Sequence, residues 1–199
     1  MSGRSVEHAS FVVERKYEVS PERAFAAWAD PEAKARWYSD SEAHLELDFR
    51  VGGREHSSGS APDGRAYRYE ALFHDIVAAQ RIVYAYDMFL DGTRISVSLA
   101  TVEFTAAGDS GTHMVFTEQG AFLDSHESPA GRAEGMGSLL DALEKELQAI
   151  PRVPERQPSF DWHIALVRHQ ARGQSALTPH KAGVPREQTC SGRGRPAGV

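Results

Sequence analysis

Alternating side chains on two strands are the part of this 199-residue sequence best suited to chemistry. Residues 81–90 and 112–119 are predicted to be strands, in which successive side chains point to opposite faces. One face of each carries bulky amphipathic groups, so we take it as the inner face. Aromatic and methionine side chains beside a few polar groups are typical of a pocket for an apolar ligand. The alternative is that they simply form a packed core. This inner set is Tyr84, Tyr86, Met88, Met114, Phe116 and Glu118.

Glu118 is the acidic member of this inner set. If Arg50 or Arg54 lies beside it, an ion pair would keep the carboxylate charged. Such a pair could orient the polar end of a ligand. The alternative is a structural ion pair at the rim of the sheet. We count both arginines among the ligand-binding candidates.

Metal-binding residue types occur on one short strand, at His44, Glu46 and Asp48. Side chains at positions i, i+2 and i+4 point the same way but lie about 7 Å apart. That spacing is too wide for one tight site without a partner strand. We therefore expect a solvated edge here, and likewise a surface position for the acidic and histidine side chains at 124–127. No metal site and no cofactor are predicted.

Nucleophilic chemistry has little support in the sequence. Ser96 and Ser98 share a predicted strand, but no Asp or His stands at a spacing that indicates a partner. No phosphate-binding glycine loop, nucleophile elbow or HExxH helix is present. A triad assembled from distant positions stays open. No catalytic residue is named.

The elements that position these residues begin with a strand at 11–19. Ser20-Pro21 and Asp30-Pro31 each resemble a helix start, which predicts short helices at 21–28 and from 31 through Trp37. From 43 to 119 the pattern has period two, with turn signals such as Pro62-Asp63-Gly64 and Asp91-Gly92. Short turns require antiparallel neighbours, so this region is a meander of about six strands.

A long helix at 129–149 closes the domain. Ser128-Pro129 supplies its start, and apolar residues including Met136 and Leu140 follow at helical spacing. Three glycines, at 131, 135 and 137, interrupt it. They indicate either a helix that starts late or room beside the sheet at Gly135 for a ligand or a close backbone approach.

The order of these motifs resembles the family of activators of heat-shock-protein ATPase homologues, in the START-like (SRPBCC) superfamily. The similarity covers about residues 10–150. It is carried by Ser20-Pro21 with Phe25, Trp28, Asp30-Pro31 and Trp37; by the glycine-pair strand at 48–54; by 81–86, 102–104 and 117–124; and by Glu134-Gly135 with Leu139-Leu140-Asp141 and Leu143.

The resemblance implies an α+β helix-grip fold, in which a curved antiparallel sheet of six to seven strands surrounds a long C-terminal helix. It also implies a cavity between sheet and helix that holds lipid-like or polyketide-like molecules. Trp37, Met136 and Leu140 join the cavity candidates on this basis. We expect binding of an apolar or aromatic small molecule. The alternatives are a cyclase or hydrolase using a cavity Glu, Tyr or His as acid or base, and an interaction module that acts like a chaperone-ATPase activator.

Charge divides the chain into two parts. Residues 1–150 carry 25 acidic and 14 basic side chains, whereas residues 151–199 carry 3 and 8. An acidic domain disfavours nucleic-acid binding, which depends on Lys and Arg at phosphates. No apolar run is long enough for a membrane span, and the N-terminus has no hydrophobic signal core. We expect a cytoplasmic protein, as a monomer or weak dimer.

The sequence also predicts domain bounds. Residues 1–10 are expected to be an N-terminal arm and 11–150 the START-like domain. Residues 151–199, rich in Pro, Gly and Arg, are expected to be a basic and mostly disordered tail. This tail either contacts acidic partners or is a variable extension without function.

Overall fold

A computed structural model describes residues 4–38, 43–61 and 63–149. The sheet has seven strands in the order β1-β7-β6-β5-β4-β3-β2, and every neighbouring pair is antiparallel. The strands are β1 (Val6–Tyr17), β2 (His44–Leu47), β3 (Arg54–Ser60), β4 (Ala66–Val77), β5 (Arg81–Leu90), β6 (Thr93–Ala107) and β7 (Gly111–Leu123). The first strand begins at Val6, five residues before the sequence predicts, so residues 6–10 belong to the sheet and not to an arm.

Three helices cover one face of this sheet: α1 (Pro21–Ala29), α2 (Pro31–Tyr38) and α3 (Pro129–Ala149). The proline starts form as predicted. The Asp30 carboxylate accepts a hydrogen bond from the Ala33 amide at 2.7 Å, and the Ser128 hydroxyl accepts one from the Gly131 amide at 3.1 Å. These contacts satisfy amides at the first turns of α2 and α3.

Tight turns between successive strands produce the antiparallel meander. Asp91 and Gly92 join β5 to β6 with φ of 47° and 77°, as a tight two-residue hairpin turn requires. The sheet, the two short helices after the first strand and the C-terminal helix confirm the predicted helix-grip fold.

The core lies between the sheet and α3. The buried residues of α3 are Arg132, Met136, Leu140, Leu143 and Leu147, which recur at helical spacing. The Tyr17 hydroxyl donates to the Leu140 carbonyl at 3.1 Å and fastens β1 to the middle of this helix. Gly135 is exposed on the opposite side, and α3 is already helical from Pro129, so neither sequence reading of the glycines is correct.

Within the described part of the chain, no helix is long and apolar enough to cross a membrane. The predicted basic tail at 151–199 lies outside the described residues.

Candidate functional site

The side chains of β5 and β7 that the sequence pattern predicts to face inward do face the interior. Tyr84, Tyr86, Met114, Phe116 and Glu118 are all buried under the helices. The register between β5 and β6 shifts at Met88 and Phe89, whose partners are Ser96 and Arg94. Ile95 is therefore the extra residue of a bulge in β6, and it is buried next to the buried Ser96. Alternation in β5 continues, since half-buried Met88 pairs with the inner residue Tyr69. Phe89 lies on the outer face, where the Arg68 guanidinium covers its ring at 3.8 Å from the centroid.

The three helical candidates are core residues. Trp37 packs on Trp28 with ring centroids 5.0 Å apart, and its indole N–H donates to the Ala27 carbonyl at 2.9 Å. Met136 and Leu140 are buried in the same hydrophobic cluster. These contacts make all three residues part of the packed interior.

The prediction that Arg50 or Arg54 forms an ion pair with Glu118 is wrong. Arg50 lies in the turn between β2 and β3, where its guanidinium pairs with Asp48 at 2.9 Å. Arg54 is exposed because the next residue of β3, Glu55, faces the interior and alternation turns Arg54 outward. Neither arginine contacts Glu118.

Arg132 is the cation beside Glu118. It enters from the first turn of α3, and its Nη1 lies 3.3 Å from Oε1 of Glu118. Glu118 is fully buried, and the Ser98 hydroxyl donates to the same oxygen at 2.7 Å. Its second oxygen, Oε2, has no hydrogen-bond partner among the described residues. The ion pair is therefore internal, not at the rim of the sheet.

All five N–H groups of Arg132 have acceptors. Beyond Glu118, Nη1 donates to the Tyr86 hydroxyl at 2.6 Å and Nη2 donates to the Ser96 hydroxyl at 2.8 Å. Glu127 accepts from Nε at 2.9 Å and also from Nη2, so it binds the guanidinium through both oxygens. Glu127, expected at the surface, is thus part of a largely buried network. The cause is its position two residues before α3, facing the first turn.

The sequence holds a signal for Arg132 that its charge obscures. Arg132 precedes Met136 by four residues and Leu140 by eight, so it falls on the same helical face. Ser96 and Ser98 likewise alternate on the inner face of β6. Polar residues at buried positions of an amphipathic pattern indicate a network, but only the packing of α3 on the sheet identifies the partners.

A second buried ion pair joins α2 to β3. Lys34 Nζ lies 2.6 Å from Oε2 of Glu55, and the two side chains are only 2% and 1% exposed. The Lys34 ammonium also lies over the rings of Trp28 and Tyr38, at 5.1 and 4.7 Å from their centroids. Burial lowers the pKa of Lys34, and the neighbouring Glu55 carboxylate opposes that shift. Oε1 of Glu55 has no partner among the described residues.

A row of tyrosines connects the two ion pairs. Tyr38, beside Lys34, contacts Tyr69 at 5.8 Å between centroids, and Tyr69 contacts Tyr86 at 5.0 Å. Burial raises the pKa of each of these three tyrosines and of Tyr84. Their phenols stay protonated at neutral pH, which makes them hydrogen-bonding groups and not general bases.

A cleft of about 440 Å³ opens beside this row. Its walls come from the end of α2, strands β3 to β6, the β7–α3 loop and α3. The apolar and aromatic lining residues are Tyr38, Tyr67, Tyr69, Met88, Leu90, Ile95 and Leu139. Ser57, Arg65, His126 and Glu127 supply polar groups. Met88 is the one ligand-binding candidate from the sequence that lines this cleft.

The remaining polar clusters are at the surface. His44 and Glu46 are both exposed and lie 2.9 Å apart, Nε2 to Oε1, as the solvated-edge prediction requires. Among residues 4–38, 43–61 and 63–149, no three His, Cys, Asp or Glu side chains are placed to hold a metal ion.

Comparison with known proteins agrees with this architecture. The profile of a family described as "Activator of Hsp90 ATPase homolog 1-like protein" matches residues 18–148. A search of curated protein sequences finds no match.

Solved structures extend the comparison. The Mll3558 protein of Rhizobium loti is 48% identical with a TM-score of 0.67, over 71% of this chain and 99% of that one. An uncharacterized protein of Rhizobium leguminosarum is 43% identical with a TM-score of 0.67, over 73% and 97% of the two chains. Protein CV1439 of Chromobacterium violaceum, at 20% identity and a TM-score of 0.61, shares the fold. The chain belongs to the family of activator of Hsp90 ATPase homolog 1-like proteins, within the START-like (SRPBCC) superfamily.

Proposed function

We propose that this protein binds an apolar or aromatic small molecule, lipid-like or polyketide-like, in the cleft beside the tyrosine row, without turning it over. The observation that carries the proposal is the cleft itself. Its volume of about 440 Å³ falls in the range of small-molecule sites, and most of its lining is aromatic or aliphatic. Apart from Ser57 in the middle of β3, the polar groups sit toward the β3–β4 and β7–α3 loops.

Family membership supports a binding role, because the helix-grip fold is built around a space between sheet and helix. In this chain most of that space is filled by side chains such as Met114, Phe116 and Leu140. The open volume lies toward the end where β6 bulges at Ile95, which lines the cleft. A ligand would therefore sit at this end of the grip, against Tyr69 and Leu139.

Acid–base catalysis gains less support from the same geometry. Glu118 does not line the cleft and is held by Arg132 and Ser98. Burial raises the pKa of Tyr84 well above its usual value, so its phenol cannot act as a base near neutral pH. The cleft presents a binding surface more clearly than a reaction centre.

Titration with N-phenyl-1-naphthylamine, a neutral apolar fluorophore, tests the proposal. Leu139→Trp places a bulky ring in the cleft and should weaken probe binding by about tenfold, a loss of about 1.4 kcal/mol. Leu99→Trp is the matched control, because Leu99 is 41% exposed on the outer face of β6. Its affinity should equal that of the wild type.

Two results would count against a binding role. One is a probe signal that does not saturate. The other is equal affinity in the Leu139→Trp and Leu99→Trp proteins, which would place the probe elsewhere.

A further inference from the structure

The carboxylate of Glu127 is the part of the Arg132 network that a ligand can reach. Glu127 lines the cleft and its side chain is 24% exposed, whereas the Arg132 side chain behind it is 8% exposed and does not line the cleft. The other acceptors of Arg132, on Tyr86, Ser96 and Glu118, are buried side chains of the sheet. Glu127 alone among these acceptors belongs to a loop.

We propose that Glu127 occupies the anchoring position for a ligand carboxylate, and that the cleft therefore selects apolar molecules that carry one carboxylate group. This inference rests on the proposed binding function and adds the ligand class. Both oxygens of Glu127 bind the guanidinium, through Nε and Nη2. A planar carboxylate from a ligand matches the same two N–H groups, the arrangement that arginine favours.

Charge balance favours this exchange over the insertion of a neutral group. Arg132 faces two carboxylates, Glu118 and Glu127. When a ligand carboxylate replaces Glu127 and Glu127 turns toward water, the number of charges around Arg132 does not change. A neutral ligand that displaced Glu127 would leave Nε and Nη2 with poorer acceptors, and buried donors without good acceptors are costly.

The other buried cation near the cleft is a poorer anchor. Lys34 is 2% exposed and is covered by the rings of Trp28 and Tyr38. Its carboxylate partner, Glu55, is equally buried and does not line the cleft. A ligand would have to displace Tyr38 to reach it. The exchangeable carboxylate is therefore at the α3 end.

Competition between two isosteric probes tests the proposal. Naphthalene-1-acetate and naphthalene-1-acetamide differ in charge but hardly in shape, and each is used to displace N-phenyl-1-naphthylamine. The acetate should bind the wild type about tenfold more tightly, the scale of a hydrogen-bond pair to a charged group. Glu127→Ala removes the internal competitor and should tighten acetate binding severalfold while leaving the amide unchanged.

Glu134→Ala is the matched control, because it removes the same charge from an exposed position of α3. Equal displacement by acetate and amide, or equal responses of Glu127→Ala and Glu134→Ala, would overturn the carboxylate proposal while leaving the cleft as a neutral binding site. Failure of the fluorophore to bind at all would overturn both.

A spectroscopic measurement on the wild type avoids any dependence on variant folding. The Nε–H proton of Arg132 donates to Glu127, so its NMR resonance reports the exchange. The resonance should shift when the acetate is added and stay in place with the amide. The proposal would be contradicted if the resonance did not shift with the acetate, or shifted equally with the acetate and the amide.

Discussion

Two buried ion pairs flank the tyrosine row, and they differ in how their charges are satisfied. Lys34 and Glu55 form one contact of 2.6 Å in an almost completely buried setting, with one Glu55 oxygen unpaired among the described residues. Arg132 instead distributes five N–H groups over partners on β5, β6, β7 and the following loop.

This difference separates a structural pair from an exchangeable one. A lysine ammonium is a point charge, and here the surrounding rings fix its single partner. An arginine fork can keep three donors on the sheet while two change partner. Among the charged side chains of the two sites, Glu127 lines the cleft, whereas Lys34, Glu55, Glu118 and Arg132 do not. Both sites bury charged groups, but a ligand in the cleft can reach only the Arg132 network.

The largest expected effect is the loss of one member of the Lys34–Glu55 pair. Glu55→Ala leaves the Lys34 ammonium buried without a carboxylate and should lower the free energy of unfolding by about 3–5 kcal/mol. Urea denaturation measures this change in the free energy of unfolding. Probe affinity in the fraction that stays folded should not change, because neither residue lines the cleft.

The double variant Lys34→Met/Glu55→Leu serves as the control. Replacement of a buried pair by apolar groups of similar volume is often neutral or stabilising, so most of the lost stability should return. If Glu55→Ala lowers the free energy of unfolding by less than about 1 kcal/mol, water reaches this pair. The Lys34–Glu55 pair would then not be more enclosed than the Arg132 network.

Much of this arrangement is predictable from the sequence because it depends on local rules. Proline starts at Pro21, Pro31 and Pro129 define the helices, and short turns force the antiparallel meander. Period-two alternation correctly places Tyr84 and Glu118 on the inner side. Each of these inferences needs only neighbours in the chain.

The site itself depends on distant contacts. Helical spacing places Arg132 on the buried face of α3, but no local pattern pairs it with Glu118, which it meets across the sheet–helix interface. The bulge in β6 places two successive side chains, Ile95 and Ser96, in the interior. Lys34 occupies the buried side of α2 because the rings of α1 and α2 enclose it. Packing between elements, and not periodicity within one element, decides which of these side chains meet.

The second-largest expected effect is the loss of Glu127, the carboxylate that we propose a ligand can replace. Glu127→Ala should lower the free energy of unfolding by about 2 kcal/mol, since it removes hydrogen bonds to a charged group but lets water from the cleft reach Arg132. This is less than the Glu55→Ala loss, and urea denaturation of both variants compares them directly. Glu134→Ala, without such a contact, should stay within about 0.5 kcal/mol of the wild type. A Glu127→Ala loss equal to that of Glu55→Ala would make Glu127 as structural as Glu55.

High pH should weaken the region between the two ion pairs. Tyr84 is buried beside Tyr86, and burial raises its pKa above the usual 10.0. The folded state therefore keeps this proton when the unfolded chain loses it. That stabilisation is complete below pH 10 and is lost as pH rises above 10.

Tyr84→Phe removes this linkage. Urea denaturation at pH 9 and pH 11 should show that the variant loses about 1.4 kcal/mol less than the wild type over this interval. Lys34, whose pKa shift has the opposite sign, is present in both proteins and cancels in the difference. The same measurement at pH 7 isolates the packing effect of the missing hydroxyl. Equal losses in the two proteins would mean that water already solvates Tyr84.

The smallest expected effect concerns the helix that carries Arg132. Gly135 is exposed on α3, and a methyl group there would meet no atom within 4 Å. Gly135→Ala should therefore stabilise the fold by about 1 kcal/mol through helix propensity. Gly137→Ala should gain less, because its methyl group would lie 3.3 Å from Nη2 of Arg15, which donates to the Gly137 carbonyl at 3.2 Å. Thermal unfolding ranks the two variants. If exchange at Arg132 involves Glu127 alone, Gly135→Ala also leaves the acetate-to-amide affinity ratio unchanged; a reduced ratio would show that α3 itself must bend.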